Sequence, residues 1–121
     1  KTVIGAVVLK GMTALDGDLD KLIQQQSSES HAALELDHNY HFGGYAKINI
    51  ELAEFVTAFN GSNSFAIEPI YTGKAFFAVW DKIRRGQIQA GSKVVLLHTG
   101  GMQGARGTAP IIERLLRSKR A

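Results

Sequence analysis

The chain has 121 residues, a net charge of +3 and no cysteine, with 45% hydrophobic and 21% charged residues. This length and balance suit one domain, residues 1–121, with its own core. The lack of cysteine excludes a disulfide framework and a thiolate metal centre. No apolar run approaches a membrane span and the first residues lack signal-peptide architecture, so a cytoplasmic setting without membrane contact is the default expectation.

Thr2 to Leu9 is a continuous apolar, β-branched run closed by Lys10-Gly11, the pattern of a strand buried on both faces in a parallel sheet. Asp16 or Asp18 can cap a helix whose apolar positions are Leu15, Leu19, Leu22 and Ile23, and the polar stretch from Gln24 to Ser30 closes it. Ala33 to Asp37 alternates weakly and reads as a strand. Ile48, Leu52, Phe55, Val56 and Phe59 form one helical stripe that Asn60-Gly61 is expected to end. Phe65 to Ile70 follows as a short strand. Thr72 then reads as the N-cap of a helix carrying Phe76, Val79, Trp80 and Ile83, with Gly86 as its stop. Lys93 to Leu97 is the last strand, followed by a glycine-rich loop and a basic amphipathic helix from about Pro110.

Strands alternating with helices predict an α/β domain, a mostly parallel sheet flanked by helices. Ligands of such sheets bind beyond the carboxyl ends of the strands, where Tyr71, Thr72, His98 and Thr99 fall. Basic residues gather at two helix ends, Lys82, Arg84 and Arg85, then Arg114, Arg117, Lys119 and Arg120. Placed there they complement the helix dipole, and no aromatics are interleaved with the tail, so no nucleic-acid partner is expected.

Several small motifs point less far. Asp37, His38 and His41 lack a further ligand, so no metal site is expected. Gly101 to Gly107 has Gly-x-x-Gly-x-x-Gly spacing without the later acidic residue of a dinucleotide fingerprint, and reads as a loop.

Three segments carry more. Glu68-Pro-Ile-Tyr-Thr-Gly-Lys-Ala75 and Leu96-Leu-His-Thr-Gly-Gly101 are apolar runs ending in small polar residues, and Asp37-His-Asn-Tyr-His-Phe-Gly-Gly-Tyr45 lies upstream. Together they resemble the C-terminal part of the 1-aminocyclopropane-1-carboxylate deaminase and D-cysteine desulfhydrase family, pyridoxal-phosphate enzymes of fold type II. The resemblance implies that Thr99 lies under the pyridine ring, where a hydroxyl bonds the ring nitrogen without a formal charge and so favours elimination. It implies that Tyr71 and Tyr45 are catalytic residues facing the substrate, and that Thr72 belongs to the cofactor-binding set. Ala46-Lys47-Ile48-Asn49 departs from the Gly-Leu-Pro-Asn of many relatives, leaving Tyr45 and Asn49 to fix the register.

Within that family, deaminases resemble Tyr-Glu-Gly-Lys and His-Leu-Gly-Gly at the two motifs, whereas desulfhydrase-like members resemble Tyr-Thr-Gly-Lys and His-Thr-Gly-Gly. Thr72 and Thr99 both fall on the desulfhydrase side, since a hydroxyl cannot replace a carboxylate that polarises a ring-opening step. The resemblance implies a lyase releasing pyruvate, ammonia and sulfide from a small D-amino acid such as D-cysteine. It also implies an imine-forming lysine far upstream, not Lys74, and no match to that lysine, to the phosphate loop or to the Ser-Asn-His stretch is found here. The expectation is thus a C-terminal segment, inactive by itself and not holding the cofactor covalently. It would pair with the remaining N-terminal part of the enzyme or with itself as a homodimer. The alternatives are a non-catalytic binding or assembly module of the same fold, or a deaminase.

Overall fold

A computed structural model describes residues 1–26, 29 and 32–121. The chain opens with β1 (Thr2–Ala6), α1 (Ala14–Gln26) and β2 (Ala33–Asp37), followed by three helices, α2 (Ile50–Ser62), α3 (Thr72–Arg84) and α4 (Gln103–Arg120). β1 and β2 pair in parallel, from Thr2 opposite Ala33 to Ala6 opposite Asp37, with α1 as the crossover that parallel pairing requires. The Val7 amide extends the ladder by donating to the Asp37 carbonyl at 2.9 Å. The fold is α/β, as expected.

Its core lies elsewhere than in the sheet. Leu52 and Val56 of α2, Phe76 and Phe77 of α3, and Ile67 from the intervening segment form the buried cluster. Tyr40, Phe42, Ile48, Phe55, Phe59 and Leu96 pack around it. Edge-to-face contacts, such as Phe55 on Phe77 at 5.2 Å, bind α2 to α3. β1, expected to be buried on both faces, is largely exposed, with Val3 at 52% and Ile4 at 47%. A two-stranded ribbon has too little sheet around it to cover both faces.

Five assignments differ from the sequence expectation. The Phe65–Ile70 and Lys93–Leu97 segments join no ladder among the described residues; the sheet has two strands. Ile67 instead finds a surrogate partner, because the Asn60 side-chain amide accepts from its N–H at 2.8 Å and donates to its carbonyl at 3.0 Å. Asn60 lies inside α2, which runs on to Ser62. α1 begins at Ala14, so Asp16 lies in its first turn, where its charge suits the dipole, and neither Asp16 nor Asp18 is the cap. Part of the polar stretch expected to close α1, namely residues 27, 28 and 30, lies outside the described residues. α4 starts at Gln103, seven residues before Pro110, and absorbs most of the expected glycine loop.

Local caps set the start of α2 and the end of α3, the latter as expected. Asn49 caps α2, its side chain accepting from the Leu52 amide at 2.9 Å. α3 closes at Gly86, with Gly86 N–H on the Ile83 carbonyl at 3.0 Å and Gln87 N–H on Lys82 at 2.8 Å. The paired bonds are those of a Schellman motif.

Ion pairs tie β2 to α3. Lys82 reaches Asp37 at 2.7 Å, and Asp81 accepts from the Tyr40 hydroxyl at 3.0 Å while pairing with Arg84 and Arg85 at 2.8 and 2.7 Å. Among the described residues no helix is long and apolar enough to cross a membrane.

Candidate functional site

The turn before α3 is organised by one carboxylate. Glu68 is fully buried, and its Oε2 accepts from Ile70 N–H at 2.5 Å while Oε1 accepts from Tyr71 N–H at 2.9 Å and Thr72 N–H at 2.7 Å. These are orphan donors of a helix N-terminus, and a carboxylate there also meets the positive end of the dipole. Glu68, not Thr72, is therefore the cap of α3. Thr72 is its first residue, buried, with its hydroxyl 3.1 Å from Oε1 and 3.2 Å from Glu68 N–H.

The start of α4 packs over the same carboxylate. A methyl group added at Gly104 would lie 3.5 Å from Glu68 Oε2, and one at Gly101 3.8 Å from Glu68 Cγ. Two helix N-termini thus converge on Glu68. The approach is fixed from the other side by His98, whose Nε2 bonds the Ala66 carbonyl at 2.8 Å while Nδ1 accepts from Gly100 N–H at 3.1 Å. Those partners require Nε2 to carry the proton. Thr99 is exposed between them. Gly100 and Gly101 adopt φ of 85° and 82°, a conformation that only glycine takes without strain, and nothing lies within 4 Å of a Cβ built at Gly100. Thr99 is thus an exposed residue next to an open backbone face at Gly100.

The third part of the site is the turn at residues 41–47. Phe42 and Ala46 have φ of 55° and 54°, and Gly43 and Gly44 between them have φ of 103° and 131°. Two non-glycine residues in this region cost of order 1–3 kcal/mol each and persist only where the surroundings enforce them. Lys74 enforces them here. Its side chain is fully buried, and its ammonium donates to the His41 carbonyl at 2.8 Å and to Gly44 at 2.9 Å. Burial holds its pKa below the ordinary lysine value, against a smaller pull upward from the Glu68 charge.

The turn aims Tyr45 at Tyr71. The Tyr71 hydroxyl donates to that of Tyr45 at 3.1 Å, with ring centroids 5.9 Å apart and both side chains about half exposed. That hydrogen bond, with lesser contributions from desolvation and the Glu68 charge, raises the Tyr71 pKa above its usual value.

Of the four residues singled out from the sequence, the structure brings Tyr45 and Tyr71 into direct contact. It puts Thr99 on the loop that shares Glu68 with Tyr71. Thr72 stands apart because its hydroxyl is internal and engaged by Glu68. Lys74 is likewise engaged, and its ammonium faces two carbonyls. Glu68 is not among the residues that the sequence singles out; there it is only the first residue of a motif. The signal was an acidic residue and a proline three to four positions before a helix start. Asp37, His38 and His41 diverge to Lys82, Asp16 and Gly43, and no cluster of three metal-ligating side chains occurs among the described residues. An apolar groove of ≈ 390 Å³ between α2 and α3, lined by Phe55, Phe59, Phe77 and Trp80, shares no residue with this wall.

Known proteins resemble this chain in sequence and in fold. No family model matches the chain. A Pyrococcus horikoshii protein, provisionally named 1-aminocyclopropane-1-carboxylate deaminase, is 31% identical over 104 residues, covering 84% of this chain and 31% of the relative. A mitochondrial protein of Arabidopsis thaliana, named bifunctional D-cysteine desulfhydrase/1-aminocyclopropane-1-carboxylate deaminase, is 34% identical over 68 residues, 55% of this chain and 17% of the relative. The crystal structure of an ACC deaminase homologue superposes with a TM-score of 0.77 at 29% identity, over 93% of this chain and 35% of that one. The chain thus spans about a third or less of the length of the relatives it matches.

Proposed function

We propose, for a chain that belongs to the 1-aminocyclopropane-1-carboxylate deaminase and D-cysteine desulfhydrase family, that it forms one wall of a pyridoxal-phosphate site in a desulfhydrase-like lyase. The observation that carries this reading is the Tyr45–Tyr71 hydroxyl pair, fixed through Glu68 to the loop that presents Thr99.

The residues present suit that cofactor. Thr99 is exposed next to the unobstructed backbone of Gly100, where a planar ring can approach, and a neutral hydroxyl is a fitting partner for a ring nitrogen. When bound, pyridoxal phosphate supplies the electron sink for loss of the substrate's α-proton. The chain's own residues do the rest of what is proposed. Thr99 orients the ring and leaves it without a formal charge partner. The Tyr71 hydroxyl donates to that of Tyr45, which leaves the Tyr45 proton free to hydrogen-bond the substrate. Thr72 acts one step back, by holding the carboxylate that holds Tyr71. The substrate is a small D-amino acid with a β-leaving group, D-cysteine above all, and the products are pyruvate, ammonia and sulfide.

A second reading, the deaminase, draws on the names of the relatives. Thr99 opposes it, and so does Thr72, because the Thr72 position lies against the buried Glu68 carboxylate. The full-length protein, loaded with pyridoxal phosphate, is the material for the test. It should release pyruvate and sulfide from D-cysteine with a kcat/KM at least about 100-fold above that for 1-aminocyclopropane-1-carboxylate, a difference of about 2.7 kcal/mol in transition-state stabilisation. Efficient opening of the cyclopropane ring would overturn the assignment.

A further inference from the structure

We propose that Glu68 and Lys74, two fully buried side chains of opposite charge, are positioning residues that hold the Tyr45 and Tyr71 hydroxyls together. Each tyrosine is fixed by one of them. Glu68 accepts the Tyr71 backbone amide, and those of Ile70 and Thr72 on either side, so Tyr71 has no freedom to turn at the helix start. Lys74 bonds the His41 and Gly44 carbonyls, and thereby clamps the turn in which Phe42 and Ala46 hold positive φ immediately around Tyr45. Both anchors lie at the N-terminus of α3, six residues apart, so the hydroxyl contact is set by one rigid helix end.

Simple stabilisation does not require this arrangement. A helix can be capped from solvent-exposed Ser or Asp, and a loop can avoid strain by placing glycine at Phe42 and Ala46. Here the strained turn and the buried ammonium occur together, and what they jointly fix is a contact between two half-exposed hydroxyls. Function rests on the reading above, in which those hydroxyls face substrate; the positioning itself does not.

The test is the ionisation of each tyrosine, followed by NMR in the cofactor-free full-length protein carrying ¹³Cζ-tyrosine. Tyr71 should titrate above free tyrosine, and in Tyr45→Phe its midpoint should fall. Glu68→Asp keeps the charge but shortens the reach, and should bring Tyr71 down to the Tyr45→Phe midpoint, with no further fall when the two changes are combined. Lys74→Met should also lower the Tyr71 midpoint. Loss of a nearby cation alone would raise it, so the sign separates a broken contact from a changed field. Tyr40, bonded to Asp81, serves as the control and should not move. In the unmodified protein the Tyr71 amide should exchange with deuterium as slowly as amides inside α3, although its side chain is half exposed.

A Tyr71 midpoint unchanged in folded Glu68→Asp and Lys74→Met, an additive shift in the combined variant, or fast exchange of the Tyr71 amide would each overturn the inference. Turnover absent from a protein in which these midpoints shift as expected would count against the functional reading and leave the positioning intact.

Discussion

Thr72 shows how far a single position can be read from its type. As a letter in a motif it is a hydroxyl near a cofactor; in the structure it is a buried hydroxyl donating to Glu68. Thr72→Ser keeps that bond and should leave the thermal midpoint nearly unchanged. Thr72→Val removes it from a buried carboxylate and should cost about 1–3 kcal/mol. Thr72→Glu, the residue of the deaminase-like pattern, would place a second carboxylate against the first and should destabilise more than Val does, since two close buried carboxylates cannot both ionise. Thermal denaturation of the three variants checks the order Ser, Val, Glu. A Thr72→Glu protein as stable as the parent would mean that this turn can reorganise to present position 72 outward. The structure joins Tyr45 to Tyr71 and leaves Thr99 exposed on its loop; these three were expected from the motif resemblance. Glu68 and Lys74 were not, because nothing in a sequence says that a charged side chain turns inward to meet backbone groups more than thirty residues away, as Lys74 does with His41.

At the scale of elements, Ala33–Asp37 is the strand its alternation suggests and Gly86 ends its helix as expected, whereas Phe65–Ile70 and Lys93–Leu97 join no ladder among the described residues. The caps expected at Asp16 or Asp18 and at Thr72, and the stop expected at Asn60-Gly61, are not those of their helices. Asn49 and Gly86 announce their helix ends chemically, through a side-chain acceptor and a favoured backbone conformation. A strand is defined by its neighbour, and apolar alternation cannot say whether a neighbour is there. Phe65–Ile70 and Lys93–Leu97 have strand-like composition without a ladder. Docking of α3 depends instead on Asp37 at the end of β2, which pairs with Lys82, and on Asp81, which holds Tyr40. The Arg84 guanidinium, then Arg85 and Tyr40, holds the Asp81 pKa below its ordinary value against the cost of burial. For Asp37 burial pushes upward, but Lys82 and Asn39 together outweigh it, and the net shift is also downward. A carboxyl whose native pKa is depressed contributes stability that is complete above the unfolded value, near pH 4, and is lost as pH falls through the lower native value. The urea midpoint should therefore hold above about pH 5 and fall steeply below pH 4. Asp81→Asn should lower it at neutral pH and flatten the acid limb. An equally steep acid limb in Asp81→Asn would place the sensitivity on other carboxyls.

For the whole molecule, the exposed apolar surface is the dominant feature. Val95 is 85% exposed and Leu97 77%, beside Val3 and Ile4 at 52% and 47%. Surfaces of this kind on soluble proteins are usually covered. A neighbouring strand, from another segment or from a second copy of this chain, would cover them. By itself the 121-residue chain should then self-associate at micromolar concentration, and Val95→Lys with Leu97→Lys should shift it toward monomer in analytical ultracentrifugation. A monomer in both forms would show that these side chains need no partner.

In the function proposed above this chain forms one wall of a cofactor site, and none of its own lysines is the covalent anchor. Lys74, the only lysine within a site motif, has its ammonium fully buried against two carbonyls. The most direct measurement is borohydride reduction of the 121-residue chain mixed with pyridoxal phosphate, followed by peptide mass spectrometry and a pyruvate assay with D-cysteine. The expected result is no selectively labelled lysine and no pyruvate. A stoichiometric adduct on one lysine of this chain, together with pyruvate release, would contradict it.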